Sequence, residues 1–69
     1  MRYLVEVFWS DEDEGYIAVV PDLPGCSAFG TTPEEAVREI GDATLAWIEA
    51  CRAAGDPIPA PATKARQAA

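Results

Sequence analysis

Two neighbouring stretches decide the fold: Val20-Pro21-Asp22-Leu23-Pro24-Gly25-Cys26 and, shortly after it, Gly30-Thr31-Thr32-Pro33-Glu34-Glu35-Ala36. The two prolines of the first stretch lack an amide hydrogen and fix φ, so a strand that reaches them must end. We expect Leu23 to bury its side chain beneath this turn, and Asp22 to accept hydrogen bonds from the amides of the turn itself. Gly25 allows a backbone conformation that is closed to most other residues.

The second stretch predicts the start of a helix. Thr32 is the N-cap, Pro33 is the first helical residue, and Glu35 completes a capping box. We expect the helix to stop at Gly55, because Pro57 cannot continue it. Residues suited to a core recur at helical spacing between these ends and predict the face that meets the sheet. They are Ala36, Val37, Ile40, Ala43, Thr44, Trp47, Ile48 and Cys51.

Three strands are predicted before the helix. Residues 2–10 alternate between two faces, as a strand does, and residues 16–20 and 26–30 are shorter apolar segments bounded by turn residues. The links are short, so neighbouring strands run antiparallel. If the loop of the first hairpin needs a positive φ, we expect Gly15 to supply it. These elements predict an α+β fold in the order β-β-β-α, with a three-stranded antiparallel sheet, one helix on a face, and a fourth strand left open.

A chain of 69 residues has room for one domain. We assign residues 1–61 to it and residues 62–69 to a C-terminal tail. One helix covers only one face of a sheet, so apolar residues on the other face need another cover. If Tyr3, Val5, Val7 and Trp9 meet the helix, the uncovered residues are Leu4, Phe8, Ile17 and Val19. If the faces are reversed, Trp9 and Tyr16 are left over. Either assignment predicts association, as a homodimer or a higher homo-oligomer.

Composition excludes several classes of function. The chain has no histidine, only two cysteines and a net charge of -7. It therefore lacks the ligands of a zinc site and the clustered Lys and Arg of a nucleic-acid-binding surface, so we expect no metal, no cofactor and no direct contact with nucleic acid. No apolar run is long enough to span a membrane, and no secretory signal is recognisable. We expect a cytoplasmic protein in which Cys26 and Cys51 remain reduced.

Four consecutive acidic residues form the loop of the first hairpin, hereafter the acidic loop: Asp11, Glu12, Asp13 and Glu14. They do not match the alternating ligand spacing of a calcium loop. The loop is either a solvated hairpin tip or a contact for a basic partner. Catalysis is not predicted, because Cys26 has no histidine to activate it and no phosphate-binding glycine loop is present.

The chain as a whole resembles the HicB family of antitoxins from type II toxin-antitoxin systems. The resemblance is carried by residues 15–26 and then by Gly30, Thr32, Glu34, Glu35, Ala36, Trp47, Gly55, Pro57, Ile58, Pro59 and Pro61. Within these, the structural motif consists of Pro21, Asp22, Leu23, Pro24, Gly25, Thr32 and Glu35. The resemblance implies a partly degraded ribonuclease H-like fold in the order β-β-β-α-β, without the acid cluster of an active ribonuclease H.

The resemblance also implies a partner, a small basic RNA-cleaving toxin of the HicA type whose catalytic histidine the antitoxin blocks. Many members of the family carry a C-terminal DNA-binding domain, whereas only a short tail follows Pro61 here. The preferred hypothesis is an antitoxin-like protein-binding module that neutralises such a toxin, with the acidic loop as its contact. The alternative is a solitary, self-associating structural or regulatory domain without a toxin.

Overall fold

A computed structural model of the protein describes residues 2–64. The elements follow in the order β1 (Glu6–Ser10), β2 (Gly15–Val19), β3 (Ser27–Gly30) and α1 (Pro33–Ala53). The strands form one antiparallel sheet in the order β1-β2-β3, and α1 packs on one of its faces. The predicted α+β fold is confirmed. Residues 2–64 hold no fourth strand, and residues 65–69 of the predicted tail lie outside the described residues.

The first strand is shorter than predicted, and the turn after β2 explains why. Glu6 pairs with Val19, the last residue of β2. The amide of the next residue, Val20, donates to the carbonyl of Cys26 at 3.1 Å and so belongs to the turn. Because β2 leaves the sheet there, residues 2–5 lie beyond the last paired position of β1. The other two strands begin and end within one residue of their predicted bounds.

Gly15 is required for its missing side chain and not for its φ. The positive φ of the first hairpin falls on Glu14, at 52°, so the prediction for Gly15 is wrong. A Cβ at position 15 would meet ring atoms of Phe29 at 2.4 Å and the carbonyl oxygen of Gly30 at 3.0 Å. Gly15 therefore lets the Phe29 ring lie against the hairpin backbone.

The turn between β2 and β3 is held by its own backbone. The Leu23 amide donates to the carbonyl of Val20 at 3.0 Å, and the Cys26 amide donates to the carbonyl of Leu23 at 2.9 Å. Gly25 adopts a φ of 79°. The Leu23 side chain is fully buried, as predicted. The turn thus inserts an apolar anchor under the sheet and leads the chain into β3.

Both ends of α1 are capped by the residues that the sequence indicates. Thr32 accepts a hydrogen bond from the Glu35 amide at 3.1 Å. The Glu35 carboxylate reaches back to the amide of Thr31 at 3.0 Å, one residue before the N-cap. At the other end Gly55 has a φ of 76°, and the amide of Asp56 donates to the carbonyl of Cys51 at 3.1 Å. This is the Schellman arrangement, which satisfies the last carbonyls of a helix.

The core lies between α1 and the sheet. Its buried residues are Ala18, Val20, Leu23, Cys26, Ala36, Ile40 and Thr44, and the partly buried side chains packed on them include Tyr3, Val5, Val7, Tyr16 and Trp47. The first of the two face assignments is therefore correct, although Trp9 remains 51% exposed. Val37, predicted to face the sheet, is 52% exposed, because it lies on the flank of the helix.

Candidate protein-binding surface

The acidic loop projects four exposed carboxylates from the β1–β2 hairpin. Two of them are held in place by the end of β1. The indole nitrogen of Trp9 donates to Asp11 Oδ1 at 2.8 Å, and the Ser10 hydroxyl donates to Asp13 Oδ2 at 2.8 Å. These hydrogen bonds use one oxygen of each carboxylate and leave the other available. The loop is therefore a partly pre-ordered patch of negative charge.

The face of the sheet opposite α1 is apolar and uncovered within the described residues. We call it the open sheet face and define it by Phe8, Ile17, Val19 and Phe29. Phe8 pairs with Ile17, and Ile17 pairs with Phe29, so these three form a row across all three strands. Phe8 is 48% exposed and Phe29 is 43% exposed. Large apolar side chains this exposed and this close together are typical of an interaction surface.

The acidic loop and the open sheet face adjoin each other. Ser10 and Gly15 are the last paired residues before the loop, and the row that contains Phe8 lies two residues further along the strands. At the rise of a β-strand, that separation is about 7 Å. The structure thus places an apolar patch next to a rim of negative charge, which is the anatomy of many protein interfaces.

Residues 2–64 contain no group of three or more His, Cys, Asp or Glu side chains arranged to hold a metal ion. In the same part of the chain no helix combines the length and the hydrophobicity needed to cross a bilayer. Cys26 and Cys51 are free thiols. Cys26 is buried, with its sulfur 3.7 Å from the Thr44 hydroxyl, and Cys51 donates to the carbonyls of Asp56 and Pro57 at 3.5 and 3.4 Å. Both thiols therefore contact polar groups of the fold itself.

The sequence predicted that Asp22 caps its own turn. In the structure Asp22 instead holds the C-terminal segment. Its carboxylate accepts hydrogen bonds from the Ala62 amide at 3.0 Å, the Thr63 amide at 3.1 Å and the Thr63 hydroxyl at 2.7 Å. These bonds favour the charged carboxylate. The Thr63 hydroxyl, followed by the amides of Ala62 and Thr63, lowers the pKa of Asp22.

The proline-rich segment after α1 is also fixed near its middle. The Tyr3 hydroxyl donates to the carbonyl of Pro59, so the segment lies against the residues that precede β1. On the helix side, the indole nitrogen of Trp47 donates to the carbonyl of Pro24 at 3.0 Å. Together these contacts tie the turn, the helix and the C-terminal segment into one unit.

Sequence reasoning missed two parts of this arrangement. Phe29 was not counted among the residues that need a cover, although the weak alternation of residues 26–30 places it on the same face as Ile17. The contact between Asp22 and Thr63 has no local signal, because the two residues lie 41 positions apart. The acidic loop, in contrast, was visible as four consecutive acids, and the structure places it where an apolar surface begins.

Comparisons with known proteins agree on one family. A family model described as the HicB-like antitoxin of bacterial toxin-antitoxin systems matches residues 3–69. UPF0150 protein Ta0767 of Thermoplasma acidophilum is 41% identical over 59 residues, which cover 86% of this chain and 84% of the relative. UPF0150 protein ssr1765 of Synechocystis is 43% identical over 47 residues, which cover 68% of this chain and 60% of the relative. No solved structure gives a significant match.

Proposed function

Because the chain belongs to the family of HicB-like antitoxins of bacterial toxin-antitoxin systems, we propose that it binds and neutralises a small basic toxin, a ribonuclease of the HicA type. The observation that carries this proposal is the junction of the acidic loop with the open sheet face. Membership of an antitoxin family implies, in general terms, that the partner is a toxin. The charge and shape of this surface favour a partner that is cationic and has an apolar patch of its own.

The net charge of the chain favours fast association with such a toxin. A net charge of -7 on a domain of this size attracts a basic protein from solution. The acidic loop concentrates four of the 12 Asp and Glu residues at one end of the sheet. Complementary charges raise the association rate and select against acidic partners. The apolar residues of the open sheet face then provide the area whose burial slows dissociation.

Neutralisation of the toxin follows because RNA and the antitoxin compete for the same Lys and Arg side chains of the toxin. A ribonuclease holds the phosphates of its substrate with Lys and Arg side chains. If the carboxylates of the acidic loop pair with these side chains, RNA and antitoxin exclude each other. In this proposal the chain has no catalytic role, acts in the cytoplasm, and does not itself bind nucleic acid, because its own role is to occupy a nucleic-acid-binding surface with carboxylates.

The test compares two double variants with the same change in net charge. We expect Glu12→Lys with Glu14→Lys to slow association with the purified toxin by at least about tenfold at low salt, and the difference to shrink as salt rises. The control is Glu39→Lys with Asp56→Lys, two exposed positions away from the loop. If both variants slow association equally, the loop contributes to binding only through its net charge.

The second candidate is a solitary domain that self-associates and has no toxin. It is favoured by one observation, an exposed apolar stripe on the flank of α1 that includes Val37 and Leu45. Self-association and toxin binding are compatible, and we propose that this chain is also a homo-oligomer. The solitary-domain reading predicts that charge reversal in the acidic loop leaves every interaction of the protein unchanged.

A further inference from the structure

The helix has an apolar stripe that its own sheet does not cover. The exposed helix stripe consists of Val37, Gly41, Leu45 and Ile48, which lie on one flank of α1 because they are three or four residues apart. Leu45 is 66% exposed, which makes it the most exposed large hydrophobic side chain of the described residues, and Val37 is 52% exposed. The stripe is thus separate from the buried face formed by Ala36, Ile40 and Thr44.

Neither packing nor backbone conformation within the described residues requires a glycine at position 41, the centre of the stripe. A Cβ at this position would meet nothing within 4 Å, and its φ is not in the left-handed region. A glycine within a helix nevertheless costs about 1 kcal/mol relative to alanine. Gly41 lies in a groove of about 460 Å³, lined by Tyr3, Gly41, Asp42, Thr44, Leu45 and Ile48. A glycine that is unneeded internally allows another backbone or side chain to approach closely.

The charges at the two ends of the stripe are self-complementary. Glu34 lies one turn before Val37, and Arg52 lies one turn after Ile48; both are exposed. If two copies of α1 pack antiparallel about an axis near residue 43, Glu34 of each copy lies opposite Arg52 of the other. The same register places Leu45 of each copy over Gly41 of the other. A parallel arrangement would bring Glu34 against Glu34 and Arg52 against Arg52.

We propose that two copies of this chain form a two-fold symmetric dimer through the exposed helix stripe, with the two α1 helices antiparallel and each Leu45 seated in the groove at Gly41 of the other copy. An isologous interface of this kind needs a self-complementary patch, which the order of charges and of large and small residues supplies. The stripe is bordered by charges of both signs, Glu34 and Asp42 as well as Arg38 and Arg52, so it does not offer a basic toxin a uniformly negative surface.

The dimer leaves the proposed toxin contact free. The open sheet face lies on the side of the sheet away from α1, and the acidic loop lies at the far end of the β1–β2 hairpin. Two copies that met through the open sheet face would instead bring two acidic loops toward one interface, where like charges repel. Self-association through the helix therefore predicts a dimer with two independent toxin sites, and it does not depend on the existence of the toxin.

The test is the mass of the full chain in solution, measured by sedimentation equilibrium over a range of concentrations. We expect the wild-type chain to be a dimer and Gly41→Leu to weaken dimerisation by at least about a hundredfold, since the new side chain fills the groove. The monomer tolerates this change, because the position is open and leucine is a good helix former. A thermal melt of the variant at low concentration verifies that it is folded.

Charge exchange tests the antiparallel register. Glu34→Arg and Arg52→Glu should each weaken the dimer several-fold, and the double variant should restore it toward the wild-type affinity. Glu39→Arg matches the net charge of Glu34→Arg and should have no such effect, since Glu39 lies on another side of α1. Phe8→Thr, on the open sheet face, should leave the dimer intact.

Four outcomes would overturn the proposal. They are a monomeric wild-type chain, a Gly41→Leu variant that dimerises as well as the wild type, a double charge variant that is no better than the single ones, and a dimer that Phe8→Thr dissociates. If the chain is monomeric and Gly41→Leu abolishes toxin binding instead, the stripe belongs to the toxin contact and the dimer is refuted.

Discussion

Asp22 and Thr63 are 41 positions apart in the chain, and the carboxylate of Asp22 accepts hydrogen bonds from both the amide and the hydroxyl of Thr63. This contact joins the turn after β2 to the segment after α1. It gives the acidic residue between the two prolines a role outside its own turn, in which the amides of Leu23 and Cys26 are paired with carbonyls. The contact fixes the C-terminal segment against this turn as far as Thr63.

Removing the acceptor should release the segment. In Asp22→Ala we expect the amide hydrogens of Ala62 and Thr63 to exchange with solvent at the rate of an unstructured peptide, while those of α1 remain protected. The measurement is amide hydrogen exchange by NMR. Thr63→Val is the matched control, since it removes only the hydroxyl bond and should accelerate exchange much less. Protection that is unchanged in Asp22→Ala would contradict the contact.

Acid should release the same segment in the wild-type chain. The Thr63 hydroxyl and the two amides lower the pKa of Asp22 in the folded state. A lowered pKa means that docking of the segment is fully stabilised above the ordinary aspartate pKa of about 3.9, and that this stability is lost as the pH falls through the lowered value. Chemical shifts of Thr63 followed during an acid titration should report this transition, and it should be absent in Asp22→Asn.

The glycines at positions 15 and 41 should respond in opposite ways to alanine. Gly15→Ala places a methyl group against Phe29 and the carbonyl of Gly30, and overpacking of this kind destabilises by about 1–3 kcal/mol. Gly41→Ala meets no neighbouring atom and should raise the stability of the monomer by up to about 1 kcal/mol. Denaturant unfolding at low protein concentration measures both. Equal effects of the two substitutions would contradict the packing described.

The turn between β2 and β3 should depend on Leu23 more than on any of its polar contacts. Leu23 is fully buried, so Leu23→Ala should cost about 2–5 kcal/mol of unfolding free energy. Trp47→Phe keeps an aromatic ring but loses the hydrogen bond to Pro24, at a cost of about 0.5–1.5 kcal/mol. Urea unfolding of both variants gives the comparison. A larger loss of unfolding free energy in Trp47→Phe than in Leu23→Ala would mean that the contact from α1 stabilises the turn more than the burial of Leu23 does.

Local signals predicted most of the fold. The cap at Thr32, the stop at Gly55 and the buried Leu23 each depend on residues within a few positions, and the structure has all three. Two errors arose where tertiary geometry decides. The positive φ falls on Glu14 because Gly15 is already a strand residue paired with Ser10, where its missing side chain leaves room for Phe29. Val37 follows the helical spacing of the core residues, but it lies outside the part of α1 that the narrow sheet covers. Its side chain is therefore exposed.

The candidate surface was predictable only in part. Four consecutive acids identify the acidic loop, and the surplus of apolar residues indicates that something covers the second face of the sheet. Sequence alternation does not tell which face meets the helix, because both faces of β1 carry large apolar side chains. Packing decides it, because Val7 and Ala18 lie in the core with Ile40 of α1, whereas Phe8 and Phe29 are exposed. The partner of Asp22 lies too far along the chain for any local pattern to reveal it.

The most direct test of the proposed function is an RNA-cleavage assay that combines a purified small basic ribonuclease of the HicA type with the purified 69-residue chain. We predict that cleavage falls in proportion to the added chain and stops near one chain per toxin. We also predict that the Glu12→Lys, Glu14→Lys variant inhibits more weakly than the Glu39→Lys, Asp56→Lys control. Cleavage that continues unchanged in an excess of the wild-type chain would contradict the proposed function.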